Sequence, residues 1–168
     1  MTSSTLDQIE EGSRVFIDAS IFIYHFTGTS PECRRLLESC ESSRVAGFTS
    51  VTALAEVAHR LMTIEAVTKG LVSPGNVVRK LREKPEVVRK LHLYQEQTEL
   101  IPLMGIAILR LDLDVMTLAA DIRRRDGLLL NDSLLAATAI CERIAVMASG
   151  DPDFGRVSEL RLLRPTDL

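Results

Sequence analysis

Apolar residues in this chain fall into short solid runs separated by longer stretches in which they recur every three or four positions. Arg14–Ile17, Val45–Phe48, Ile106–Leu111, Ile144–Ala148 and Leu160–Leu163 are runs of strand length bounded by polar or turn-forming residues, the pattern of strands buried on both faces. The intervening stretches read as helices. Ser30-Pro31-Glu32 supplies a cap, a first-turn proline and an acid for a helix to about Ser43. Thr49 or Ser50 caps a helix whose expected core face is Val51, Leu54, Ala55, Ala58, Leu61 and Met62, with Thr52, Glu56, His59 and Thr63 on a second stripe. Asp112–Arg125 is amphipathic and ends near Gly127, and Ser133–Ile140 is almost wholly Leu, Ala, Thr and Ile, so that helix should be buried on most sides. Alternating strands and helices predict an α/β fold, a mainly parallel central sheet with helices on both faces.

One stretch breaks the alternation. From 67 to 104 the sequence is helical and charged, interrupted at Ser73-Pro74-Gly75 and Lys84-Pro85, where proline favours a fresh start. It reads as a helical insert, a hairpin or cap, within a single domain spanning 1–168.

Composition narrows the function. Hydrophobic residues make up 46% and charged residues 26%, with 9 Gly and 6 Pro, which excludes disorder and low-complexity repeats. Aromatics are 4% with no Trp, too few for a base-stacking platform, so any nucleic acid would be gripped by its backbone. The formal charge of -3 decides little, because local clusters set the local field. Two basic clusters stand out: Arg79, Lys80, Arg82, Lys84, Arg89 and Lys90 in the insert, and Arg123-Arg124-Arg125. Solvated helix faces and a phosphate-steering surface are both open readings. Cys33, Cys40 and Cys141 form no metal or redox spacing and are expected to be buried apolar thiols in a reducing compartment. The polar N-terminus and the lack of a long apolar run point to the cytoplasm, with no membrane span.

The chemistry resides in acids set among apolar residues. Asp18 closes the first strand, Glu56 rides a helix edge, Asp132 opens the most apolar helix, and Asp151 with Asp153 follows the fourth strand in Ser-Gly-Asp-Pro-Asp-Phe. Each has an ordinary alternative: Asp18 and Asp132 as helix caps, Glu56 as a surface acid, Asp151 and Asp153 as turn formers. Together they suggest convergence beyond the carboxyl ends of the strands, where open α/β sheets bind ligands. Within about 4–6 Å of one another such carboxylates cannot all ionise near neutrality without a cation. All-oxygen ligation selects Mg2+ or Mn2+ over zinc, and phosphodiester hydrolysis is the natural chemistry of such an ion. His59, at Glu-x-x-His spacing from Glu56, is expected on the helix surface or behind a ligand, because one such unit does not make a di-iron site. Ser20, Thr49, Ser50 and Ser149 flank the acids as candidates to orient a ligand or water.

At these residues the chain resembles the PIN domain family and, within it, the VapC-like ribonuclease toxins. Phe16-Ile17-Asp18-Ala19-Ser20 looks like the family's first strand and first acid. Thr49-Ser50 leading to Ala55-Glu56-Val57 looks like its second-acid helix, and Asp132–Ala139 is similar to its third-acid helix. Ser149-Gly150-Asp151-Pro152-Asp153-Phe154 resembles its closing Thr-x-Asp-x-Asp-Phe motif, with Ser149 in the threonine position. The resemblance implies a three-layer α/β/α sandwich, a Mg2+- or Mn2+-dependent endoribonuclease cutting single-stranded RNA, and Asp18, Glu56, Asp132 and Asp151 as the catalytic, metal-binding quartet with Asp153 as a further ligand. It also implies an antitoxin partner and a homodimer. The insert lengthens the helical portion beyond compact members and bears on where an antitoxin would dock. An inactive binding module of the same fold, or a housekeeping RNA-processing nuclease, are the competing functions.

Overall fold

The computed structural model describes residues 4–168. Five strands, β1 (Arg14–Ile17), β2 (Ala46–Ser50), β3 (Ile106–Leu109), β4 (Val146–Ala148) and β5 (Arg161–Leu163), form one parallel sheet in the order β3-β2-β1-β4-β5. Helices flank it, giving the expected α/β/α sandwich. The chain builds outward from β1 through β2 to β3, then returns to the other side of β1 for β4 and β5. This order places the topological switch between β1 and β4, where a crevice opens beyond the strand ends. Val15, Phe16 and Ile17 pair with Val146, Met147 and Ala148. The Asp18 N–H continues the ladder by donating to the Ala148 carbonyl at 3.0 Å.

Local chemistry starts and stops the helices. Asp18 caps α1 (Ala19–Phe26), and Ser30 caps α2 (Pro31–Glu41) by accepting the Cys33 N–H at 3.1 Å. Ser50, rather than Thr49, caps α3 (Val51–Thr68), accepting the Ala53 N–H at 3.2 Å. That start sets the phase of α3. Of the expected face, Leu61 is buried and Leu54 and Met62 pack against the cores, but Val51 is 53% exposed and Ala55 is exposed, while Ala53 and Val57 are buried in their place, so the core face is rotated by part of a turn. Asp112 caps α7 (Leu113–Asp126), which ends on Gly127 at φ 71°, a left-handed turn that glycine adopts without steric cost. Helix α8 (Leu130–Cys141) starts earlier than expected, with Leu129 at the cap position. Neither Asn131 nor Asp132 caps it; Asp132 lies inside the first turn, where the positive helix end favours a carboxylate.

Phe16, Phe22, Phe154, Leu135 and Met147 are fully buried in the main core. The insert folds as α4 (Val77–Glu83), α5 (Pro85–Val88) and α6 (Leu93–Leu100), followed by a 3-10 turn at Ile101–Met104. Leu81, Val87 and Leu91 pack with Ala66 and Val72 into a separate small core beyond the end of α3. A second tie is polar. The buried Glu65 of α3 accepts hydrogen bonds from the backbone N–H groups of His92 (3.1 Å) and Tyr94 (2.9 Å) at the start of α6, and from Lys69 Nζ at 2.6 Å. No side chain of α6 caps its own N-terminus, so Glu65 satisfies donors that the helix leaves open.

Cys33 and Cys40 are buried along α2, their thiols pushed up to about 11 chiefly by burial. Cys141 departs from the expectation: at the end of α8, where the helix leaves the core, it is exposed. Among the described residues, no helix is long and apolar enough to cross a membrane.

Candidate acidic active site

Asp18 is 6% exposed at the carboxyl edge of β1. Its Oδ2 accepts hydrogen bonds from Ser20 Oγ and Ser149 Oγ, each at 2.6 Å. Ser20 Oγ in turn accepts the Gly150 N–H at 2.9 Å, and Ser149 Oγ accepts the Asp151 N–H at 3.0 Å. The ends of β1 and β4 are thereby laced together, which fixes Asp18 relative to Asp151. Gly150 is required in this lacing for space, because a Cβ there would stand 2.9 Å from the Tyr24 ring. Asp151 Oδ1 accepts the Asp153 N–H at 2.8 Å, closing the turn into the 3-10 helix Pro152–Arg156.

The remaining acids reach the same place from two helices. Burial is the main cause that raises the Glu56 carboxyl above its ordinary range; Asp18 and Asp151 add to it, and Arg60 opposes it. Asp132 is pushed up to about 6 by burial, then by the charges of Asp151, Asp18, Glu56 and Asp153. Asp18 is raised by burial against the opposing hydroxyl hydrogen bonds of Ser149 and Ser20. The charges of five carboxyls from four segments thus act on one another. Among the described residues, however, no group of three His, Cys, Asp or Glu side chains is placed close enough together to hold a metal ion. The convergence is one of charge around a polar pit.

Asp153 differs from the other four, since Arg156 Nη2 lies 2.9 Å from its Oδ1. Thr49 and Ser50 serve the backbone rather than the acids: Thr49 Oγ1 donates to the Ile17 carbonyl at 2.8 Å, and Ser50 caps α3. His59 is exposed one turn beyond Glu56.

The arginine triplet is committed internally. Arg123 donates to Ser133 Oγ at 2.8 Å, Arg124 pairs with Asp121, and Arg125 forks onto Glu159 at 2.8 and 2.9 Å while also bonding Asp126. The Arg123 bond ties α7 to α8, which carries Asp132, Arg124 pairs within α7, and Arg125 joins the end of α7 to Glu159, so the triplet is largely paired within the fold. In the insert Lys80 is tied to Ser73 and Pro74, and Arg79 faces Glu83 at 3.9 Å. Arg82, Lys84, Arg89 and Lys90 are exposed. Arg60 was missed in the sequence, although its four-residue spacing from Glu56 on one helix face was a readable signal.

Comparison with known proteins agrees with this architecture. The PIN domain model matches residues 15–160, and the chain belongs to the PIN domain family. The chain is 28% identical over 153 residues to Ribonuclease VapC2 of Methanocaldococcus jannaschii, a match covering 91% of this chain and 95% of that protein. Its fold is similar to that of VapBC2 from Rickettsia felis bound to a promoter DNA fragment (TM-score 0.58, 18% identity, 90% of this chain and 98% of that one). It is also similar to VapC20 of Mycobacterium tuberculosis, described as a Sarcin-Ricin loop cleaving toxin (TM-score 0.55, 19% identity, 88% and 98%).

Proposed function

We propose that this protein is a metal-dependent endoribonuclease that hydrolyses phosphodiester bonds of single-stranded RNA, and that it acts as the toxin of a toxin–antitoxin pair. The observation that carries the reading is the pit itself. The charges of Asp18 and Asp151 act on Glu56, and those of Asp151, Asp18, Glu56 and Asp153 on Asp132; Asp18, Glu56 and Asp132 are held above their ordinary range, and among the described residues no salt bridge neutralises Asp18, Glu56, Asp132 or Asp151. A folded chain keeps such repulsion where a bound cation offsets it. The relative named as a ribonuclease and the neighbours that are toxin–antitoxin complexes support the same reading.

The donor set fits a hard divalent ion: it is all carboxylate, and no thiol or imidazole faces the pit. Mg2+ or Mn2+ bound there would supply activation of a water and charge stabilisation at the phosphoryl oxygen. Asp18, Asp132 and Asp151 would hold it directly or through water, with Asp153 as an outer ligand once released from Arg156. Glu56, half-buried and raised, would orient the attacking water and take its proton as the P–O bond breaks. Ser20 and Ser149 keep Asp18 from swinging away. The reading carries with it cytoplasmic action, an antitoxin partner and a homodimer.

The direct test is cleavage of a single-stranded RNA by the purified protein with and without Mg2+ or Mn2+. Cutting that requires the ion and disappears in Asp132→Asn bears the proposal out; metal-independent cutting, or full activity in that variant, refutes it. Failure to cut any RNA while a protein partner binds tightly would favour the inactive binding module.

A further inference from the structure

The outer face of α3 does not end at Glu56. One turn on, about 6 Å along the helix axis at 1.5 Å per residue, Arg60 and His59 open a groove of about 400 Å3 that runs between α3 and the start of α4. Thr63 and Val67 line the α3 side, and Val77 and Val78 the insert side. Arg60 belongs to both regions, since its charge lowers the Glu56 carboxyl while its side chain lines the groove. Its carbonyl accepts Thr63 Oγ1 at 2.8 Å, whereas its guanidinium takes part in no hydrogen bond or salt bridge among the described residues. Val78 is 41% exposed on the opposite wall.

We propose that this groove is a subsite for the RNA strand flanking the scissile phosphate, with Arg60 holding the adjacent phosphate and the Thr63–Val78 walls receiving the nucleoside. The inference rests on the ribonuclease reading and deepens it. Charge complementarity selects the occupant. The pit is acidic and repels a polyanion, so a strand entering it needs a cation at its rim, and Arg60 is the cation coupled to Glu56 that the fold has not tied down. The arginine triplet, the other candidate, is committed to Asp121, Asp126, Ser133 and Glu159. Arg82, Lys84, Arg89 and Lys90 of the insert are exposed and have no salt bridge among the described residues, so the insert offers further contacts to the RNA backbone. The scarcity of aromatics fits a site that grips phosphate and packs the sugar and base on aliphatic walls.

The test is fluorescence-anisotropy binding of a labelled single-stranded RNA of about twelve nucleotides to the metal-free protein over a salt series, for wild type, Arg60→Ala, Arg60→Lys and Val78→Glu. Each phosphate contact adds about 0.7 to the logarithmic salt slope for a single strand. Arg60→Ala should weaken binding about five- to tenfold and lower the slope by about that amount, with Arg60→Lys close to wild type. Val78→Glu should weaken binding at least as much, by placing a carboxylate in the groove. Unchanged affinity and slope in Arg60→Ala and Val78→Glu would overturn the subsite. So would loss of self-association or of antitoxin binding in Val78→Glu with RNA binding intact, because the groove would then be a protein interface. RNA binding that follows these expectations in a protein that cuts no RNA would sink the nuclease reading and leave the subsite standing.

Discussion

Two acidic sites lie along the α3 side of the molecule and meet opposite fates. Glu65 is buried at the far end of α3, and although burial pushes its carboxyl up, Lys69 and the Tyr94, His92 and Leu93 amides hold it down at about 2. Asp132 faces the pit and is pushed up to about 6, with burial and four neighbouring carboxyls acting in the same direction. The difference lies in who supplies the cation. Around Glu65 the chain provides its own ammonium and amide donors, so the site is complete and serves to fasten the insert. Around Asp132 the chain provides further acids, so completion has to come from outside. A buried carboxylate that is fully partnered is architecture; one surrounded by its own kind marks where a ligand belongs.

Exchanging single groups should expose that contrast. The largest effect is expected for Asp132→Asn, which should cut RNA cleavage by about 10²–10³-fold through loss of a metal-holding charge. The same change should leave the metal-free protein equally or more stable, because it removes repulsion; a loss of stability in thermal unfolding would show that Asp132 is structural. Glu65→Ala should behave in the reverse sense. Unsatisfied amides at the start of α6 and an unpaired Lys69 should cost about 3 kcal/mol in urea unfolding, while Mn2+ uptake by the folded protein, read by calorimetry, is unchanged.

Ion and proton titrations sharpen the comparison further. Mn2+ at about 100 times its Kd should stabilise the wild type by about 2.7 kcal/mol, and an Asp132→Asn protein far less. Glu65 has a folded pKa of about 2 against an ordinary 4.5, so its contribution is full above about pH 4.5 and disappears as pH falls towards 2. The groups facing it are Lys69, whose Nζ lies 2.6 Å from Glu65 Oε1, and His92, whose Nδ1 lies 3.0 Å from Glu96 Oε1. Acid unfolding monitored at Tyr94 should therefore begin in that window in the wild type, and Glu65→Gln should flatten the dependence.

The acids were legible in the sequence because a charged residue at the end of an apolar run is conspicuous whatever the three-dimensional detail. Strand–helix alternation likewise led to the parallel sheet, and the capping signals at Ser30 and Ser50 were local chemistry that tertiary contacts did not override. The core face of α3 was legible only in part: Leu54, Leu61 and Met62 pack as expected, but Val51 and Ala55 are as apolar as the buried Ala53 and Val57, and the phase came from the strand that feeds the helix through Ser50. Asp132 resembled a cap because the leucines before it, Leu128 to Leu130, hide a helix start that has no side-chain cap. The arginine triplet looked like a nucleic-acid surface because its partners, Ser133 and Glu159, lie 10 and 34 residues away. Glu65 drew no notice for the same reason: two of its hydrogen-bond donors are backbone groups 27 and 29 residues further on.

The smallest expected effect is at Ser149, and it separates holding an acid from neutralising one. Its hydroxyl donates to Asp18 and receives the Asp151 amide, so Ser149→Ala strips one of two hydroxyl donors from a buried carboxylate and leaves an amide without its acceptor. The loss should be about 1–2 kcal/mol in urea unfolding of the metal-free protein. Because the missing hydrogen bond favoured the charged form of Asp18, the carboxylate becomes costlier to keep ionised, and bound Mn2+ should recover part of the deficit by taking over that charge. Ser149→Thr retains the hydroxyl and should unfold close to wild type. If Ser149→Ala is as stable as wild type with and without Mn2+, its hydroxyl is dispensable to the lacing between β1 and β4, and Ser20 with the backbone ladder to Ala148 suffices to hold Asp18.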